Sequence, residues 1–189
     1  MDNNLMIEKL KEAGISFAEG LSDEEFALAE SVLNFRFPSE IRSFLACGLP
    51  VGDGFYNWRD LSATNIQRFR NFAVSIEDAF RFDIGHNNDG LRAMLEEKIS
   101  RQKEAEQFSN AVLNFFHNST QLIPFYKHRC FFGGMDNMPI VSFLQPTDTI
   151  IYGESFEDYL ETEFLGKKCC ARQVPERMEK TGIWYYLVE

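Results

Sequence analysis

The pattern of apolar and polar positions changes texture along the chain, and the opening third has helical spacing. The segment "LSDEEFALAESVLNF" places Ser22 three residues before Glu25, the arrangement of a capping box, and then sets Phe26, Ala29 and Leu33 on one helical face. The segment "FPSEIRSFLACG" follows after a few residues, so the two helices are expected to pack together. Pro38 suits the first helical position, where its missing N–H would have no partner in any case. Ile41, Phe44 and Leu45 form the apolar stripe, and Gly48 is expected to end the helix in the left-handed conformation. Residues 50–62, "PVGDGFYNWRDLS", are turn-rich and then aromatic, and they open a mixed middle. Helical spacing returns over 90–117 in Leu91, Met94, Leu95, Ile99, Phe108, Val112 and Phe115. Between Ile99 and Phe108 almost every residue is polar or charged, which predicts either a solvated stretch or a break between two helices.

From Leu122 the period shortens. "LIPFY", "CFF", "MPIVSF" and "DTIIYG" are short, apolar and aromatic, bounded by turn residues, and read as sheet strands. Ser155 then caps "SFEDYLETEF", with Asp158 at the reciprocal capping position. Phe156, Tyr159, Leu160 and Phe164 make the inner face of that helix, while Glu157, Asp158, Glu161 and Glu163 lie mostly outside. "GIWYYLVE" reads as a last strand. Helices followed by strands predict an α+β fold, here a single domain over 1–189 with residues 1–20 as an N-terminal helical extension.

Composition narrows the function classes. The 189 residues are 44% hydrophobic and 25% charged, which is globular and not disordered. Nineteen phenylalanines supply apolar area for a core or for an exposed adhesive face. Acidic residues outnumber basic ones by 29 to 19, a formal net charge of -10 that repels phosphate backbones and argues against a direct nucleic-acid ligand. The same charge attracts a basic protein partner, or serves solubility alone. The start, "MDNNLMIEKLKEAG", has no unbroken apolar stretch, and no segment approaches the roughly 20 apolar residues that cross a bilayer. Cys47, Cys130, Cys169 and Cys170 form no C-x-x-C pair and no zinc spacing, so the expectation is a reducing, cytoplasmic setting with free thiols and no metal or other cofactor.

Three stretches invite chemistry. "KHRC", from Lys127 to Cys130, puts His128 and Cys130 on one side of a strand, but about 6–7 Å apart, which is long for direct proton transfer. Packing of Cys130 as a small hydrophobe is the better reading. "DIGHNNDG" from Asp83 fails the calcium-loop pattern, with Gly85 third and Asn88 sixth, and reads as a polar turn leading to a helix cap at Asp89. The vicinal Cys169 and Cys170 follow Lys167 and Lys168, which can lower a thiol pKa, though an incidental position explains them as well.

The ordered set of segments resembles the SUKH superfamily, the family of the yeast cell-wall (glucan) synthesis regulator and its bacterial relatives. "LSDEEFALAESVLNFRFPSEIRSFLACG" is similar to the family's opening, a capped helix with a central glutamate (here Glu30) and then a proline-led helix ending near glycine. "LIPFYKHRCFFGGMDNMPIVSFLQPTDTIIYGESFEDYLETEF" resembles a bacterial branch with I-P-x-Y-x-H-R-Y, N-P-V-x-S and D-I-I-Y-Y-G blocks, and "GIWYYLVE" that branch's closing tryptophan strand. The resemblance covers roughly 20–189. It departs at Cys130, where the branch has tyrosine, at Met138-Pro139, where it has asparagine-proline, and after Phe82-Asp83, where it carries tryptophans.

The resemblance implies a mainly antiparallel sheet flanked by helices and a non-enzymatic role. Many bacterial relatives look like immunity proteins that bind and neutralise toxin domains, often nucleases. The expected partner is therefore a basic toxin domain, held by stoichiometric occlusion. The contacts expected are Asp53, Phe55, Tyr56, Trp58 and Asp60 of the aromatic turn, with Glu157, Asp158 and Glu161 of the acidic helix. A regulatory scaffold, a Cys/His-dependent enzyme and a phenylalanine-lined ligand pocket remain as alternatives.

Overall fold

A four-stranded antiparallel sheet divides two hydrophobic clusters in the computed structural model, which describes residues 1–99, 105–168 and 173–188. In chain order the described elements are α1 (Asn3–Glu12), β1 (Ser16–Ala18), α2 (Asp23–Leu33), α3 (Ser39–Cys47), β2 (Leu49–Val51), α4 (Ala63–His86), α5 (Asn88–Ile99) and α6 (Ala105–His117). The strands β3 (Leu122–Tyr126), β4 (Arg129–Phe132), β5 (Ile140–Gln145) and β6 (Asp148–Gly153) follow, then α7 (Phe156–Phe164), a 3₁₀ turn (Glu176–Thr181) and α8 (Trp184–Leu187). Strands β3 to β6 pair in sequence order, and β1 pairs with β2 in a small separate ribbon. The fold is α+β, as the order of periods predicted, and its sheets are antiparallel with helices on either side, as the resemblance implied.

Strand alternation sorts the core. Ile123, Phe125, Phe131 and Ile140 face the first cluster with α1, α2, α3 and α7, while Leu122, Cys130, Phe132, Val141, Phe143 and Ile151 face the second with α4, α5, α6 and α8. Both faces of the sheet thus carry a hydrophobic cluster, which is why the strands read as nearly unbroken apolar runs. Met6, Ile7 and Leu10 bring α1 into the first cluster, so this helix is part of the core.

The helix boundaries show which local signals were sufficient. The Ser22 hydroxyl accepts from the Glu25 N–H, and the Glu25 carboxylate accepts from the Ser22 N–H at 2.8 Å, closing the expected capping box. Gly48 differs from expectation. Its φ of -178° is extended backbone, and it is small because a Cβ there would sit 3.1 Å from both Ile7 Cδ1 and Phe17 Cδ1. The left-handed residue is instead Asn34 at the end of α2, with φ 55°. Ser155 caps α7 as expected, but Asp158 accepts from the Glu154 N–H, one residue before the reciprocal position.

Two elements correct the sequence reading. The mixed middle contains α4, whose Ser62 cap and buried Phe69, Ile76 and Phe80 carry a helical pattern. The next position in that stripe is Asp83, which is fully buried and accepts from the Thr147 N–H (3.0 Å) and hydroxyl (2.8 Å) at the β5–β6 turn. A polar group there hides the helical signal. "DIGHNNDG" is accordingly the junction of α4 and α5, not a loop. The closing segment is helical and not a strand. Ile183, Trp184, Leu187 and Val188 are buried while Tyr185 and Tyr186 are half-buried, a spacing of four that an all-apolar run conceals. Its Trp184 ring packs edge-on against Phe143 of β5, and among the described residues Val188 makes its one backbone pairing with the sheet, a parallel bridge to Thr149.

Candidate interaction surfaces

The aromatic turn is anchored in the core. Phe55, Tyr56 and Trp58 are buried, with Trp58 1% exposed, so they are core residues and not the interface anchors expected from sequence. Phe55 bridges to Tyr126 at the end of β3, and Trp58 packs on Phe35, Phe37 and Phe69. Arg59 ties the turn to α2 through Glu25 and to the carbonyls of Glu19 and Gly20. The Arg59 hydrogen bond, and then the Ser22 N–H, hold the Glu25 carboxyl below its ordinary value. Asp53 and Asp60 stay at the surface, and Asp60 accepts from the Ser62 N–H ahead of α4.

The acidic face of α7 is partly neutralised within the chain. Lys167 contacts Asp158 at 2.7 Å and Glu161 at 2.8 Å, and these two hydrogen bonds raise the lysine pKa. Glu157 is exposed beside them. Of the eight residues expected to make contacts, Asp53, Asp60 and Glu157 are fully at the surface, and the fold leaves Asp158 and Glu161 half-buried.

The "KHRC" stretch forms a different structure from a reactive pair. Register places Tyr126, Arg129, Ser142 and Ile150 opposite one another across all four strands, so they share one face. Arg129 is the centre. Its Nε donates to Glu163 of α7 at 3.0 Å, its Nη1 donates to the Ser142 hydroxyl at 2.7 Å and to His128 Nε2, and its guanidinium lies 3.7 Å above the Tyr152 ring. Ile150 and Leu144, on the same face, are exposed at 38% and 59%. The Tyr159 hydroxyl is buried with no hydrogen-bond partner among the described residues, and burial raises its pKa. Sequence reasoning named the arginine but not its row, because the residues that meet it come from three other elements.

The sulfur is turned the other way. Cys130 is completely buried in the second cluster, its S–H directed at the His128 carbonyl, and burial pushes the thiol far above its ordinary pKa. Burial, and then Arg129, lower the His128 pKa. The imidazole therefore faces an arginine, not the thiol. Among the described residues no group of three His, Cys, Asp or Glu side chains can hold a metal ion, and no helix is long and apolar enough to cross a membrane. Cys169 and Cys170 lie outside the described residues.

A second surface lies between α2, α4 and β3. Two adjoining cavities, about 720 and 250 Å³, share Asn34, Phe35 and Gln121. The larger opens over Glu30, Arg36 and the Gly133–Gly134 backbone, and the smaller over Val32, Leu33, Phe69, Arg70, Phe72 and Pro124. Comparison with known protein families, with curated proteins and with solved structures finds no match to this chain.

Proposed function

We propose that the protein is a non-catalytic binding module that neutralises a basic toxin domain, nuclease-like in charge, by stoichiometric occlusion. The observation that carries the reading is the fate of the two reactive side chains. Cys130 is sealed in the core with a raised thiol pKa, and His128 is engaged by Arg129, so neither is presented as a nucleophile or base. The net charge of -10 supports a basic partner, and the exposed Leu144 and Ile150 beside the Arg129 row offer apolar area on that face. The test is purification of the native complex from the host. The reading expects a one-to-one assembly with a basic toxin domain whose activity disappears on binding. Steady turnover by the isolated protein, lost on removal of Cys130 or His128, overturns it.

A further inference from the structure

We infer that the groove between α2 and α4 is a second docking site, separate from the Arg129 row and beyond the function proposed above, and that it takes a peptide segment bearing carboxylates beside apolar side chains. The floor of the narrower half is apolar: Leu33, Phe35, Phe69, Phe72, Leu122 and Pro124 line it, and Val32 of α2, also on its lining, is exposed. Single exposed apolar residues need no explanation, but a concave apolar strip open to solvent is the form of a recognition groove.

The charge at its rim selects the occupant. Three charged side chains line the two cavities, Glu30, Arg36 and Arg70. Glu30 is buried and already engaged, since it accepts from the Phe37 N–H at 2.9 Å and from Arg36 Nη1 at 2.9 Å. The Arg36 side chain nevertheless remains 78% exposed, and no described carboxylate pairs with Arg70, which is also exposed. The accessible charge of the groove is therefore positive, on a chain whose net charge is -10. Arginine at a rim offers bidentate geometry to a carboxylate. Because the whole molecule repels acidic ligands at long range, these contacts act on the bound state and its specificity more than on the association rate.

The experiment pans a random short-peptide display library on the full chain, and then measures the enriched peptides by fluorescence anisotropy. The expected peptides carry Asp or Glu flanking Leu, Ile or Phe. Two variants locate the site. Arg70→Glu reverses one exposed rim charge, and Ala73→Trp fills the narrow half from a solvent-exposed helical position. Each is expected to weaken binding by about tenfold or more while the thermal unfolding midpoint stays in place. Enrichment of peptides without acidic residues, affinities indifferent to both variants, or a concentration-dependent dimer dissociated by Arg70→Glu each overturn the proposal, the last by making a second copy the occupant.

Discussion

Arg129 and Glu163 show how a single pair can hold two elements. The guanidinium joins β4 to α7, and both side chains are about 15% exposed or less. Arg129→Ala leaves Glu163 without its cation and Ser142 without its donor, so about 3 kcal/mol of stability should disappear in urea unfolding. Glu30 is comparable in α2. Replacing it with alanine orphans the buried Phe37 N–H, and a loss of about 1–3 kcal/mol is expected. Cys130 offers a test of reactivity. Burial raises its thiol pKa, whereas Cys47 is exposed, so iodoacetamide should label Cys47 well before Cys130 in the native protein, read by peptide mass spectrometry. Equal labelling would return the thiol to the list of reactive groups.

At the level of elements, capping and turn contacts do the positioning. Glu25 serves α2 twice, as the reciprocal cap of Ser22 and as the partner of Arg59. Its folded pKa lies below the unfolded one, so its contribution is present above the ordinary carboxylate range and is lost as pH falls through the depressed value. NMR titration should find Glu25 changing charge at lower pH than an ordinary glutamate, and Arg59→Ala should move it back up. The β6–α7 junction depends on space. A Cβ on Gly153 would lie 2.5–2.7 Å from the Cβ, Cα and N of Tyr159, so Gly153→Ala forces the helix away from the sheet. A loss of about 1–3 kcal/mol, as for an overpacked core, is expected in the same unfolding assay.

At the scale of the whole molecule, two clusters share one sheet. Phe131 and Phe132 are adjacent in β4 and fully buried on opposite faces. Trp58 lies in the first cluster and Trp184 in the second, which gives each cluster its own fluorophore. A common sheet should couple them, so Trp58→Phe and Trp184→Phe variants should each report one urea transition, shared between fluorescence and circular dichroism. Phe131→Ala and Phe132→Ala should each lower that same transition by about 3–5 kcal/mol. Two separated midpoints would show that the clusters unfold as independent units.

What the chain alone determined was whatever depends on neighbours within a turn or a strand. The Ser22–Glu25 box, the Ser155 cap and the four strands follow from local hydrogen bonding and from periods of 3.6 and 2, whereas the polar stretch ahead of Ala105 lies largely outside the described residues. Asp83 concealed α4 because its partner, Thr147, is 64 residues away. The closing helix was concealed because buried and half-buried aromatics look alike as letters. Tertiary structure alone decided that Phe55, Tyr56 and Trp58 are core, that Arg129 stands in a row with Ser142 and Ile150, and that Arg36 and Arg70 rim one groove. Each of these depends on strand register or on helices meeting across the sheet, and burial is a property of the assembled surface, which no single segment carries.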